Sequence, residues 1–192
     1  MTKQIIRCTW PGTDPLMLAY HDKEWGRPQH DDRNLFEAVI LDGFQAGLSW
    51  STIMNKRENF RKAFNNFDAE KIARYNSKKL NSLMQDAGII RNKMKIEASV
   101  KNAKAFLKIQ EEFGSFDKYI WQFTDYKTIH NKWKHLKQLP ASTKISDTMS
   151  KDMKKRGFSF CGTTICYAFM QAVGMVNDHM VDCFCYREIV NC

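Results

Sequence analysis

Two pairs of metal-type ligands stand at opposite ends of the chain: Cys8 with His21, and His179 with Cys183. The second pair is spaced i, i+4, which puts both side chains on one face if the backbone there is helical. Zinc takes four tetrahedral N/S ligands, and two cysteines plus two histidines with none to spare describe a closed, structural Zn2+ site. Joining residues 21 and 179 would also clip the N-terminal segment to the C-terminal one. Closing so long a loop constrains the unfolded chain by about 4–5 kcal/mol in theory. Spacing alone leaves the alternative open that these are two unrelated pairs.

A chain of 192 residues, 43% of them hydrophobic, can bury a substantial core as one domain over residues 1–192. No run of about 18 apolar residues occurs, so no membrane-spanning helix is expected. The opening MTKQIIRCTW lacks the apolar stretch of a secretory signal. The six cysteines (Cys8, Cys161, Cys166, Cys183, Cys185 and Cys192) are therefore expected as thiols or metal ligands in a reducing, cytoplasmic compartment. Thirty Lys+Arg against 21 Asp+Glu give a net charge of +9. With abundant aromatics this points to a polyanion, most simply nucleic acid, although a merely basic, solvated surface has the same composition. The basic residues gather as Lys93, Lys95, Lys101, Lys104 and Lys108, and again as Lys151, Lys154, Lys155 and Arg156.

Nearly every periodic segment reads as helix. Asp31 or Asp32 can cap one carrying Leu35, Phe36, Val39 and Ile40, and Phe60, Ala63 and Phe64 continue the pattern. Ser77 can cap a short helix with Leu80, Leu83 and Met84. Ile96, Val100, Ala103 and Leu107 mark a long helix that Gly114 would end. Ser115 opens another, Ser146 begins one that Gly157 stops, and Thr163 or Thr164 precedes a last helix closed by Gly174. Residues 124–143 are the least regular and read as a long loop. The expected fold is all-α, a single unit with two helical lobes around a cleft.

Residues 77–96, SKKLNSLMQDAGIIRNKMKI, have the outline of a helix–hairpin–helix. A short helix ends near Asp86-Ala87-Gly88, and a basic helix begins near Asn92. A tight turn exposing N–H groups, followed by a helix N-terminus, suits a phosphate. Gly88 would supply a conformation that a Cβ disfavours, and Lys93 and Lys95 would add charge. The usual second glycine of such a hairpin is missing, and an ordinary αα-hairpin would also fit.

Three longer strings are more specific: DPLMLAYHDKEWGRP, QAGLSWSTIMNKRENFRKAF and KKRGFSFCGTTICYAFMQAVGMVNDH. Together they make the chain, from about Cys8 to Tyr186, resemble the 3-methyladenine DNA glycosylase I family. The resemblance implies a helix–hairpin–helix fold and one zinc held by Cys8, His21, His179 and Cys183, with no open position to activate water. It implies a pocket for a base flipped out of alkylated double-stranded DNA. Trp50 matches the family's stacking tryptophan, Tyr20 and Trp10 match its other aromatic walls, and Trp25 belongs to the surrounding cluster. At Asp42 the family has a glutamate that hydrogen-bonds the base. Asp42 keeps the charge and loses one methylene of reach, while Glu37, five residues earlier, is angularly ill placed to compensate. The resemblance implies a monomeric, monofunctional hydrolase, without a Schiff-base lysine, that releases 3-methyladenine. A wedge filling the vacated stack is expected at Leu48, in the loop from Gln45. A non-catalytic, zinc-stapled protein that binds damaged DNA is the alternative, through impairment at Asp42.

Overall fold

The computed structural model of the protein describes residues 5–191; Cys192, expected as a free thiol, lies outside them. The chain runs through α1 (Pro15–Lys23), α2 (Asp32–Gln45), α3 (Trp50–Met54), α4 (Arg57–Ala63), α5 (Ala69–Ala73), α6 (Ser77–Gln85), α7 (Lys93–Phe113) and α8 (Phe116–Trp121). It continues through α9 (Lys144–Lys155), α10 (Thr163–Ala172) and α11 (Phe184–Val190). The expected loop at 124–143 contains β1 (Ile129–His130), which pairs in parallel with β2 (Val176–Asn177). The all-α expectation is corrected to a mainly helical fold with this one small parallel pair. A two-residue strand is too short to leave a period-2 signal in the sequence.

The core centres on α2 and α7. On α2, Leu35, Phe36, Val39, Ile40, Leu41 and Phe44 are all buried. Asp31 is its cap, accepting from the Asn34 N–H. Asp32 instead accepts from the Phe116 and Asp117 N–H groups and from Gln110, tying the start of α2 to the first turn of α8. Ser115 caps α8 as expected, and Gly114 closes α7 in the left-handed region at φ 83°. The buried face of α7 runs through Ile96, Ala103, Phe106 and Ile109, while Val100 and Leu107 lie at its half-buried margin. Other caps differ from expectation by a residue or more. Asn76 caps α6, Thr143 caps α9 with Ser146 reciprocating, and Gly162 precedes α10.

Two smaller apolar clusters sit beside the main core. One gathers Cys8, Met180, Cys183, Cys185 and Ile189; the other gathers Met17, Tyr20, Trp25 and Met54. Trp10 packs against both. The turn after α10 presses directly onto the segment after α1. The N–H groups of Gly26 and Gln29 donate to the carbonyls of Gln171 and Val173. Gly174 makes this approach possible: at φ 75° a Cβ would lie 2.3 Å from the Arg27 carbonyl carbon and 2.4 Å from the Pro28 nitrogen. Gly157 has φ 98°, but a Cβ there meets nothing within 4 Å. Gly157→Ala is therefore expected to cost only the left-handed conformation, about 1–2 kcal/mol, whereas Gly174→Ala adds backbone overlap and costs more. Urea denaturation midpoints of the two variants check the order.

Candidate functional site: an aromatic pocket beside a buried Cys/His cluster

Cys8, His21, His179 and Cys183 are brought together and buried, their ligand atoms all within 4.8 Å of one another. His21 Nε2 lies 3.2 Å from His179 Nδ1 and 3.6 Å from Cys183 Sγ, and His179 Nδ1 lies 3.6 Å from both sulfurs. Residues 179–183 are not helical: the Cys183 N–H donates to the Met180 carbonyl in a turn, and Cys183 has extended φ/ψ at the start of α11. A turn, rather than one helix face, pairs these two ligands.

Each histidine's other ring nitrogen has a partner. His21 Nδ1 is 2.8 Å from Asp22 Oδ1, itself held by Arg7, and His179 Nε2 is 2.9 Å from the Trp25 carbonyl. These partners orient both rings and leave His21 Nε2 and His179 Nδ1 free to coordinate. The Met180 N–H donates to Cys8 Sγ at 3.3 Å. Hydrogen bonds with Cys185 and Cys8 hold the Cys183 thiol far below its ordinary range, and the same contacts push those two thiols up. Cys185 itself faces the His21 and Asp22 carbonyls, outside the four-residue set. Four converging N/S donors with oriented histidines can hold a metal ion.

The pocket shares a wall with this cluster. A cavity of about 210 Å³ is lined by Trp10, Tyr20, Trp25, Asp42, Gln45 and Trp50, and by residues of α10 and the 131–139 loop. Tyr20 and His21 are consecutive on α1, so one residue faces the pocket and the next the ligand cluster. Ser49 caps α3 and sets Trp50 as its first residue, its ring centroid 5.5 Å from that of Tyr20. Trp10 and Trp25 meet at 5.0 Å, and Trp25 touches the His179 ring at 4.7 Å. Asp42, in the last turn of α2, is only 2% exposed. Burial alone pushes its carboxyl well above the usual carboxylate range. Burial, together with nearby Asp42, likewise raises the Tyr20 phenol far above its ordinary value. Three buried polar atoms here have no hydrogen-bond partner among the described residues: Asp42 Oδ2, Trp10 Nε1 and Trp50 Nε1.

Glu37 belongs elsewhere. It lines a larger polar cavity of about 470 Å³, where Arg57 and Arg61 hold it. Tyr20 and Trp50 line both cavities, standing as the partition between them. Ala168, Gln171 and Ala172 were missed by sequence reasoning, although their i, i+3, i+4 spacing on a helix marks one face. Leu136 and Leu139 were also missed, and no periodicity points to them.

The residues expected to meet DNA divide. Leu48 is exposed beyond Gly47, and Lys93 is exposed at the first turn of α7, its cationic end 3.9 Å from Glu97. Lys95 is a correction: it is buried, donating from Nζ to the Phe44 and Ala46 carbonyls at 2.8 and 2.5 Å. It satisfies the C-terminal carbonyls of α2, just where the Gln45–Leu48 loop departs, and so is not presented to a phosphate. Gly88 is also revised. It is not in the left-handed region, but a Cβ there would lie 2.9 Å from Asp86 Oδ1 and 3.2 Å from Asn59 Cβ. Close approach makes the glycine fit, and the Gly88 N–H already donates to Asp86 at 2.7 Å.

A helical protein with a one-base aromatic cavity, a buried carboxylate at its depth and a basic helix N-terminus has the makings of an enzyme that withdraws a base from nucleic acid. The chain belongs to the methyladenine glycosylase family, whose profile matches residues 10–186. It is 49% identical over 180 residues to DNA-3-methyladenine glycosylase 1 of Escherichia coli (strain K12), covering 94% of this chain and 96% of that protein. Among solved structures it is similar to a crystal structure of 3-methyladenine DNA glycosylase I, with a TM-score of 0.92 at 48% identity, covering 94% of this chain and 99% of that one. It is also similar to 3-methyladenine DNA glycosylase I from Staphylococcus aureus, described for its recognition of 3-methyladenine. That match has a TM-score of 0.90 at 34% identity and covers 93% and 95% of the two chains.

Lys95→Met should destabilise the fold by about 1–3 kcal/mol, because two carbonyls at the end of α2 lose their donor. Lys93→Ala, on the surface, should change stability by less than about 0.5 kcal/mol. Chemical denaturation of both variants tests the separation.

Proposed function

We propose that the protein releases 3-methyladenine hydrolytically from alkylated double-stranded DNA, and that Asp42 is the carboxylate that reads the lesion. The observation that carries this is the set of three unpartnered polar atoms on side chains lining one small cavity. Each costs about 1–3 kcal/mol when buried without a partner, a cost that a ligand with matching groups removes. The cavity is below the roughly 300–1,000 Å³ of drug-sized sites and suits one flipped base.

The lesion carries delocalised positive charge while attached to the sugar, which weakens the bond to be broken. In the empty pocket, burial favours the protonated Asp42 carboxyl. A bound cationic base supplies the opposite charge that makes the ionised form favourable there. Trp50, Tyr20 and Trp10 offer aromatic faces, and base stacking of this kind is worth about 1–3 kcal/mol per base. As the glycosidic bond breaks, the electron pair stays with the base, which leaves neutral; positive charge moves to the sugar, and water adds at the anomeric carbon and gives up one proton to solvent. The reaction assigned here is monofunctional hydrolysis, with water and no Schiff-base lysine as the nucleophile. Leu48, exposed beyond Gly47, is assigned to fill the vacated stack.

The segment from α6 through Gly88 to α7 serves as the hairpin that holds the DNA backbone. Asn92 caps α7, accepting from the Lys95 N–H, and Lys93 adds an exposed cation to the positive helix end. The cluster is assigned to one structural zinc. A tetrahedron with Zn–S near 2.3 Å and Zn–N near 2.0–2.1 Å has S–N edges of about 3.6 Å and N–N edges of about 3.3 Å. The spacings here, 3.6 and 3.2 Å, match that donor set. Four protein donors leave no position for substrate, so the metal's contribution when bound is to hold the pocket's walls in place. The protein acts as a monomer of one domain, in a cytoplasmic setting that keeps its thiols reduced.

Single-turnover release of 3-methyladenine from methylated DNA tests the proposal. Asp42→Asn should cut release far more than it cuts affinity for an abasic duplex, and Asp42→Glu should keep or raise the rate. Equal rates for wild type and Asp42→Asn would remove Asp42 from recognition. No release by the wild-type protein, with abasic-site binding intact, would favour a non-catalytic binder.

The same substitution has a pH-dependent stability signature. A buried carboxyl with a raised pKa holds its proton more tightly folded than unfolded. The folded state therefore loses ground as pH climbs above the ordinary carboxylate range of about 4. Asp42→Asn should melt higher than wild type near pH 7 and lose that advantage as pH falls through 4. Thermal unfolding at both pH values reads the sign. Elemental analysis should find one zinc per chain, and Cys8→Ala or His179→Ala should lower both metal content and melting temperature.

A further inference from the structure

The base cavity has a wall that the aromatic residues do not provide. Leu136 and Leu139, on and just after the short 3-10 turn Leu136–Gln138, line it together with residues of α10. Leu136 is 44% exposed, yet it lines the cavity. An exposed leucine at the rim of this cavity is more than a stray surface residue, because three lysines stand beside it in the loop. Lys132, Lys134, His135 and Lys137 are all exposed. Among the described residues, none of the three lysines has a carboxylate partner.

This loop is also rigid at its base. Gln138 Oε1 accepts from the Lys134 and His135 N–H groups at 2.8 and 2.9 Å, so the turn is braced from within. Asp178, fully buried beside His179, accepts at 2.7 Å from Asn131, Trp133, Tyr167 and Gln171. Four donors from the loop and α10 thus meet on one carboxylate. The Val181 N–H also donates to the Trp133 carbonyl. The loop is anchored to the elements that carry the ligand cluster and the pocket, and it presents its apolar and cationic groups outward.

We propose that residues 131–139 are a second DNA-gripping element, separate from the α6–α7 hairpin. Leu136 packs against the sugar of the nucleotide turned into the pocket, and Lys134 and Lys137 hold the phosphates flanking it. The inference rests on the base-releasing activity for what enters the pocket, but binding can be tested apart from that activity. The partner is the lesion-bearing DNA strand: phosphates complement the lysines, and a deoxyribose offers the apolar face that matches Leu136.

The probe is a duplex containing a tetrahydrofuran abasic analogue, titrated at several salt concentrations. Lys134→Ala/Lys137→Ala should make the slope of log affinity against log salt shallower by about 1.5–2, since each phosphate contact contributes about 0.9. Leu136→Ala should weaken binding about 10-fold, the scale of one buried leucine. The lysine variant should leave the affinity for free 3-methyladenine, followed by tryptophan fluorescence, within about 2-fold of wild type, since neither lysine lines the cavity. Retained free-base binding establishes that the pocket has folded, and Lys134→Arg/Lys137→Arg should restore the slope. An unchanged slope and affinity in the alanine variants overturns the proposal. Failure of the wild-type protein to release base overturns the activity assigned above and leaves this binding result to be read on its own.

Discussion

The contact between the Cys/His cluster and the aromatic pocket governs the rest of the site. His21 and Tyr20 are neighbours on one helix turn, so fixing the imidazole in the cluster fixes the phenol in the wall. The Trp25 carbonyl accepts from the His179 ring, whose own edge meets the Trp25 indole. Trp10 packs against Tyr20, His21 and Trp25 at once. These groups are held by short hydrogen bonds and ring contacts, so the walls of the base cavity have little freedom once the four ligands are in place. A loosened cluster would blunt recognition before it unfolded the helical core, which is built largely from other residues.

On the reading proposed for Asp42, stability yields to recognition at the pocket. A helix end such as Asp42 would ordinarily be solvated or filled with an apolar side chain. Here the surroundings are apolar on one side, with Val39, Met149, Met153 and Phe169 behind it, and open to a small cavity on the other. A carboxyl in that position is unfavourable to the folded protein, and it becomes favourable only opposite a cation. Glu37 illustrates the contrary design, since its two arginine partners satisfy it permanently and leave it nothing to offer a ligand.

Much of the architecture was legible in the sequence because its signals were long. Apolar periodicity marked α2, α7 and α10, and the Gly114 stop held. Tyr20, His21, Trp25, Trp50 and His179 could be named because they lie inside distinctive strings, and Cys8, Trp10 and Cys183 because they stand within a few residues of them. What was not legible has physical reasons. The two-residue strand pair has no pattern, and the 131–139 loop is positioned by hydrogen bonds to a distant buried aspartate. Lys95 was taken with Lys93 as one patch, yet residues two apart on a helix are separated by about 200°, on opposite faces. Counting charge in a window hides that geometry. Gly88 and Asp32 carry the same lesson, since each serves a neighbour brought close by the fold rather than its own backbone conformation.

The residues of the cluster are far apart in the order of synthesis. Cys8 and His21 leave the ribosome well before their partners, and Cys183 follows Cys8 by 175 residues. At about 5–20 residues per second, the first pair waits roughly 10–35 s for the second. The helices between them can pack in the meantime, but Tyr20, Trp10 and Trp25 have no fixed frame until residues 179–183 arrive. The pocket's walls are thus framed only after the intervening helices. A chain stopped before residue 179 would keep most of its helical core and leave Tyr20, Trp10 and Trp25 without the cluster that braces them.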